Sequence, residues 1–256
     1  MQKLDQLIAR AQAILRASRH AVALTGAGVS TPSGIPDFRS PASGVWSDHD
    51  PFEVASLFAF RHRPEAFYEW IYPLAHKTLA AMPNAAHTAL ALLEKHGPLK
   101  ALITQNIDML HNRAGSGNVL EIHGHMRLMT CVRCYGEYEA SVYLKTFLET
   151  GEVPYCHCGG VLKPNVILFG EQLPVRILSA SKKQARSCDV MIVAGSSLEV
   201  APAGDLPALA KSCGAQIIVV NQSETHVDEF ADVVIHADVV DVLPQLAEPF
   251  QPVERA

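Results

Sequence analysis

Short, almost unbroken apolar runs at residues 20–25, 101–104, 190–194, 216–221 and 233–237 alternate with stretches whose apolar residues recur every three or four positions, at 53–60, 64–79, 85–95, 174–187 and 202–212. Residues 1–16 have the same helical spacing in Leu4, Leu7, Ile8, Ala11, Ile14 and Leu15. Strands alternating with helices predict an α/β fold, a Rossmann-like parallel sheet with helices on both faces, because a strand covered on both sides reads as continuous apolar sequence. Ligands then collect at the carboxyl ends of the strands. Two segments depart from the alternation. Residues 40–80 read as a loop, 40–51, followed by a helical insertion rich in aromatics (Phe52, Phe58, Phe60, Phe67, Trp70, Tyr72), and residues 125–163 hold four cysteines. The expected organisation is a Rossmann-like domain over 1–39, 81–124 and 164–256, the loop and helical insertion over 40–80, and a small module over 125–163.

Length agrees with one large domain plus a smaller unit, since 256 residues exceed a typical single domain. Hydrophobic residues at 48% against charged residues at 18%, with mean hydropathy +0.12, supply a core and exclude disorder. The 21 basic and 26 acidic residues give a net charge of −5, which offers nucleic acid or an anionic membrane surface no generic attraction. No apolar run approaches the ~18 residues of a membrane span, and the amphipathic N-terminus is unlike an export signal, so a cytoplasmic protein is expected. Oligomeric state is left open.

Six cysteines in a chain of this kind read better as metal ligands and free thiols than as disulfides. Cys131 and Cys134 form one close pair and Cys156 and Cys158 another, the two separated by 21 residues, which is the pair-plus-pair spacing of a structural Zn2+ ribbon. Four sulfur ligands leave no open position, so such an ion would hold structure and not activate water. The second pair has one intervening residue where two are commoner, which keeps His157 as an alternative ligand. Cys188 and Cys213 are expected to be buried free thiols.

The first strand runs into Thr25, Gly26, Ala27, Gly28, Val29 and Ser30, where glycines let backbone amides approach a phosphate and a following helix N-terminus would favour its charge. Thr31 stands where a dinucleotide fingerprint has glycine or alanine, which disfavours an ordinary dehydrogenase. Gly34 to Arg39 then sets Asp37, Phe38 and Arg39 side by side. The second strand ends in Thr104, Gln105, Asn106, Ile107 and Asp108, polar groups at a strand's carboxyl end, although Asn106 and Asp108 taken singly also suit a helix cap and a first-turn acid. Among twelve histidines, His123 leads into Gly124, as suits a pocket wall, but position alone does not make it catalytic.

The combination is more specific than its parts. Gly26 to Ser30, Gly34 to Arg39, Thr104 to Asp108, His123 and Gly124, Phe169 to Glu171, and Gly195 to Leu198 occur in the order and spacing of sirtuins, and over about residues 5–245 the chain resembles a bacterial member of that family. The resemblance implies an NAD-dependent protein-lysine deacetylase, which releases nicotinamide and transfers the acyl group from lysine to ADP-ribose. It implies His123 as general base, with a pKa near neutrality, and Asn106 as its catalytic companion. Gly26, Ala27, Gly28, Ser30 and Thr31 would lie along the NAD phosphates, with Asp37, Phe38 and Arg39 in a loop over the ribose. Gln105 would meet the ribose, and Asn106, Ile107 and Asp108 the nicotinamide. Gly195, Ser196, Ser197, Asn221, Asp238 and Val239 would hold adenosine and phosphate. Val166, Phe169, Gly170, Glu171 and Val200 would clamp an extended acylated-lysine protein substrate as an added strand. The stretch from Tyr68 to His76 offers Trp70 and Tyr72 but no arginine, which implies a neutral acyl group. Two competing readings are protein ADP-ribosyl transfer and a non-catalytic NAD or acyl-lysine sensor.

Overall fold

Ala21, Val22, Ala23 and Leu24 are all fully buried, which requires cover on both faces of their strand. The computed structural model, which describes residues 2–37, 44–45 and 50–252, supplies that cover. Helix α1 (Gln2–Ala17) precedes strand β1 (Ala21–Thr25), and α2 (Pro51–Val54), α3 (Leu57–His62), α4 (Pro64–Ala80) and α5 (Ala85–His96) lead to β2 (Leu99–Thr104). Then come α6 (Leu110–Arg113), β3 (Val119–Glu121), β4 (Gly124–Cys131), β5 (Glu137–Glu139), α7 (Ala140–Thr150) and β6 (Leu162–Val166). The remaining elements are α8 (Val175–Ser187), β7 (Val190–Ala194), α9 (Leu206–Ser212), β8 (Gln216–Val220), β9 (Val233–Ile235) and α10 (Val239–Ala247).

A six-stranded parallel sheet has the order β3-β2-β1-β7-β8-β9, and a three-stranded antiparallel sheet the order β5-β4-β6. The large sheet reverses direction of winding between β1 and β7, the crevice position at which doubly wound folds bind ligands. Alternate residues of each central strand serve different cores. Ala21, Ala23, Ile192 and Ile218 meet Ile8, Leu15, Leu93 and Leu243 from α1, α5 and α10, whereas Val22, Leu24, Val193 and Val219 meet Ala185, Leu206 and Ala210 from α8 and α9. A third core joins the helical insertion to the small sheet through Phe60, Phe67, Tyr68, Trp70, Met129, Phe147 and Leu162. Phe60 meets Phe67 and Phe67 meets Tyr68 edge-on, with centroids 5.1 and 5.3 Å apart, contacts worth about 1 kcal/mol each beyond their buried area. The Tyr68 hydroxyl donates to the Leu162 carbonyl and ties the two parts together.

Local chemistry sets the boundaries. Asn84 caps α5 by accepting from Ala86 and His87 N–H groups, and the His87 ring returns an acceptor to the Asn84 N–H. The expected helix at 53–60 is broken at Ala55 and Ser56, because the Ser56 hydroxyl caps α3 while Ala55 O and Leu57 N bond to the backbone of Phe169. The expected helix at 202–212 is shorter, starting at Leu206 after a turn. Among the described residues, no helix is long and apolar enough to cross a membrane.

Candidate active site

The loops that leave β1 and β7 touch backbone to backbone. Gly26 N–H donates to Ala194 O at 3.1 Å and Gly28 N–H to Gly195 O at 2.9 Å. A Cβ on Gly26 or Gly28 would stand 2.8 or 2.9 Å from Gly195 O, and one on Gly195, whose φ is +58°, would stand 2.5 Å from Val29 N. Only glycine permits this approach. The expected helix N-terminus behind the loop is absent, since the chain instead makes two 3-10 turns, Ala27–Val29 and Thr31–Ser33. The second closes on Gly34 at φ +89°, which ends any continuing helix.

These loops open onto a cleft of ≈ 920 Å³ at the carboxyl ends of the strands. Gly26, Ala27, Gly28, Thr31 and Asp37 line it from the β1 side, Gln105, Asn106 and Ile107 from β2, Gly195, Ser196 and Ser197 from β7, and Asn221, Asp238 and Val239 from beyond β8. His123, Val166, Phe169, Gly170, Glu171 and Val200 line it as well, with Phe67, Trp70 and Ile71 from α4. Phe38 and Arg39, and most of the loop 40–51, lie outside the described residues. Side chains brace the walls. Gln105 donates to Ser196 Oγ at 2.8 Å, Gln222 to Asp238 Oδ2 at 3.1 Å, and Asn221 to Ser223 O at 2.7 Å.

Ser30 and Asp108 are not among the residues that line this cleft. They line a small adjoining cavity of ≈ 60 Å³ with Ile35, Pro36, Val45, Leu74 and Ala75, and Ala27, Asn106, Ile107, Trp70 and Ile71 are common to both spaces. Ser30 Oγ donates to Asp108 Oδ2 at 2.6 Å and accepts from Asn106 Nδ2 at 3.1 Å, while Leu110 N–H donates to Asp108 Oδ1 at 2.8 Å. Burial raises the Asp108 pKa above the ordinary carboxylate value against the pull of those hydrogen bonds and of Arg113.

Two histidines behind this cavity have no place in the sequence expectations. His87 and His111 are buried with rings 4.7 Å apart, His111 Nε2 lies 3.0 Å from Thr25 Oγ1, and Thr25 Oγ1 donates to Thr104 Oγ1 at 2.9 Å. Desolvation lowers the His87 pKa to about 4 and that of His111 well below the usual imidazole value, so both are neutral hydrogen-bonding groups at pH 7. The Asn84–His87 capping spacing was the available signal for His87.

His123 Nδ1 lies 3.1 Å from the Gln105 carbonyl. A carbonyl only accepts, so Nδ1 carries the hydrogen and Nε2 remains the ring's basic atom. Burial lowers the His123 pKa below the usual imidazole value, with the Gln105 hydrogen bond opposing. In the neutral ring Nε2 is thus free to accept a proton. His125 lines neither cavity.

The sulfurs of Cys131, Cys134, Cys156 and Cys158 all lie within 4.8 Å of one another, with 3.5 Å from Cys131 to Cys158 and 3.7 Å from Cys134 to Cys156. Tetrahedral Zn–S bonds of about 2.3 Å give S–S edges of about 3.8 Å, so this donor set fits Zn2+. The His157 ring is no part of the cluster and its residue is exposed. Gly160 is required beside the cluster, where a Cβ would stand 2.6 Å from Cys131 Sγ. Cys188 is buried as expected, but Cys213 is exposed, because it closes α9 at the surface before the turn at Gly214.

Residues 26–202 match the family model described as Sir2 family. The chain is 47% identical to NAD-dependent protein deacylase 2 of Archaeoglobus fulgidus over 96% of each chain. It superposes with TM-score 0.90 and 46% identity on a structure solved for the mechanism and regulation of Sir2 enzymes, covering 95% of this chain and 97% of that one. A Sir2 structure holding a deacetylated p53 peptide and 3′-O-acetyl ADP-ribose matches with TM-score 0.89 and 40% identity, covering 94% and 98%. With its glycine loop, strand-end amides and His123 gathered on one cleft, and with this extent of likeness, the chain belongs to the Sir2 family.

Proposed function

We propose that this protein is an NAD-dependent protein-lysine deacylase, converting acyl-lysine, NAD and water to lysine, nicotinamide and O-acyl-ADP-ribose. The observation that carries the reading is one cleft lined together by Gly26 and Gly28, by Asn106 and by His123 with its basic nitrogen free of the Gln105 bond. The names of relatives, NAD-dependent protein deacylase and deacetylase, and the acylated ADP-ribose held by a Sir2 neighbour agree with it.

An amide oxygen is a weak nucleophile, so the site must work by orientation and by excluding water. Gly26, Ala27, Gly28 and Thr31 hold the NAD phosphates, Gln105 and Asp37 the nearby ribose, and Ser196, Ser197, Asn221, Asp238 and Val239 the adenosine end. Asn106 and Asp108 orient the nicotinamide carboxamide in the small cavity, with Asp108 accepting its N–H. The acyl oxygen attacks the anomeric carbon as nicotinamide leaves. His123 Nε2 then removes a ribose hydroxyl proton, so that the 2′-oxygen attacks the imidate carbon; the lysine amine leaves carrying a proton, and water adds to the cation left behind, which opens to O-acyl-ADP-ribose. Val166, Phe169, Gly170, Glu171 and Val200 dock the substrate backbone. From the helical insertion the cleft receives Phe67, Trp70 and Ile71, while Tyr72 is turned to Leu148 O, which favours a neutral acyl group, acetyl first.

Zn2+ would be held by Cys131, Cys134, Cys156 and Cys158, where a closed sulfur site supplies folding stability. On this reading the protein works in the cytoplasm on acylated proteins, with the NAD-binding domain at 1–39, 81–124 and 164–256, the cofactor loop and helical insertion at 40–80 and the zinc module at 125–163. Incubating zinc-loaded protein with NAD and a panel of acetyl-lysine peptides tests it: nicotinamide and O-acetyl-ADP-ribose should form in equal amounts. Acetate release with NAD intact, or ADP-ribose added to the protein acceptor, would refute it.

A further inference from the structure

Lys163 lines neither cavity, yet three acceptors converge on its ammonium. Nζ donates to Val166 O at 2.8 Å and Pro164 O at 3.2 Å and meets Glu171 Oε2 at 3.0 Å. The same carboxylate oxygen accepts the Leu168 N–H at 2.7 Å. All three ammonium hydrogens are thus used, and the side chain is only 12% exposed. Lys163 ties the end of β6 to the turn that follows, where Gly170 reverses the chain at φ +83°. Within this segment the Ile167 N–H donates to His123 O at 2.9 Å, and Phe169 exchanges backbone bonds with Ala55 and Leu57.

We propose that Lys163 is a positioning residue that fixes segment 166–171 as the docking edge for the acyl-lysine peptide and, through Ile167, the backbone of His123. The inference rests on the deacylase reading. A substrate that adds as a strand is held by main-chain groups in register, and these are the groups whose placement Lys163 sets. Loss of the ammonium leaves the Glu171 carboxylate without its cation and two carbonyls without their donor.

The test compares wild type, Lys163→Met, which keeps the apolar stem, and Lys163→Arg, in acetyl-peptide kinetics and in amide hydrogen exchange. In Lys163→Met the peptide KM should rise about tenfold or more with the NAD KM within about twofold, since a docking edge displaced by a fraction of an ångström loses its register. Ile167 and Leu168 amides should exchange faster, and Lys163→Arg should restore the peptide KM to within about threefold. Should Lys163→Met fail to fold, Lys163→Gln, which keeps a donor but no charge, should give the same split at about threefold. Equal changes in both KM values, or unchanged exchange over 166–171, overturn the proposal. If wild type turns over no acyl peptide, the deacylase reading fails, and the exchange comparison alone still decides whether Lys163 orders this segment.

Discussion

Asp108→Asn separates the cost of a buried charge from its use. In wild type the carboxylate accepts Ser30 Oγ–H at 2.6 Å and Leu110 N–H at 2.8 Å. Hydrogen bonds to a charged group contribute about 1.5–3 kcal/mol each, yet the raised pKa means that desolvation outweighs them. Asparagine keeps an oxygen for Leu110 and turns an amide toward Ser30, whose hydroxyl can accept it. Global stability should therefore stay within about 1 kcal/mol of wild type at pH 7, or increase. The sign of the pH dependence is fixed by linkage. With the folded pKa above the unfolded one, wild type gains stability as pH falls through the folded value and has lost that contribution above it. The advantage of the variant should thus shrink as pH falls through the folded value toward the unfolded one. The functional effect is opposite, because an N–H now faces the carboxamide N–H that Asp108 is proposed to accept. An unpaired or repelled group costs about 1–3 kcal/mol, or roughly 10–100-fold in nicotinamide inhibition and in exchange of labelled nicotinamide into NAD. Thermal melts across pH and a nicotinamide inhibition series measure both arms. A variant advantage that grows on acidification, or an unchanged inhibition constant, would refute the reasoning.

His123→Ala should lower kcat/KM about 10²–10⁴-fold while NAD affinity by calorimetry changes little, and survival of turnover would reassign the base. Because burial lowers the His123 pKa, the acid limb of the wild-type kcat/KM profile should have its midpoint below the usual imidazole value of about 6.5, and a midpoint above it would contradict the site as drawn. Gly28→Ala places a methyl 2.9 Å from Gly195 Cα and O, overpacking worth about 1–3 kcal/mol that should lower Tm by about 2–12 °C and weaken NAD binding at least about tenfold by calorimetry. Cys134→Ala, or chelation of the wild type, should release one zinc ion per chain in a colorimetric assay and raise exchange in β4, β5 and β6, because binding free energy in such modules is folding free energy.

Legibility followed the number of faces a segment buries. Strands β1, β7 and β8 are apolar but for Thr25 and Gln216 at their ends, because helices cover both sides, so their limits agree with the sequence pattern to within a residue. Strand β3 has only Val119, Leu120 and Glu121 and sits at a sheet edge, too short for any periodicity. Strands β4 and β6 carry Arg127, Lys163 and Asn165 among their apolar residues, since their core is shared with α4 and the cysteine cluster rather than made between themselves. Helix α7 left a signal in Leu144, Phe147 and Leu148 that the flanking cysteines obscured, and Pro244 disguised α10, although at its position in the helix it removes a single N–H. The cleft was legible because its groups lie in short contiguous motifs at strand ends. Lys163, His87 and His111 were not, since each derives its meaning from a partner brought close only by the fold: Glu171, Ser30 and Thr25.

The lining of the cleft comes from different cores, and that division has a chemical consequence. One part is backbone and amide from the parallel sheet, rigid because Gly26, Gly28 and Gly195 admit no side chain between them. Another part of the lining is Phe67, Trp70 and Ile71, held by the third core of the helical insertion and the cysteine-bearing sheet. On the proposed deacylase reading, the polar lining would orient phosphates and a carboxamide, and the aromatic lining would displace water from the carbon at which the glycosidic bond breaks. The backbone bonds between Phe169 and Ala55 and Leu57 join the helical insertion to the segment carrying Val166 and Glu171. Metal in the cysteine cluster should therefore matter to catalysis through the shape of the aromatic lining, at a distance from any reacting atom, and its removal should weaken acyl-peptide turnover before it weakens binding at the adenosine end.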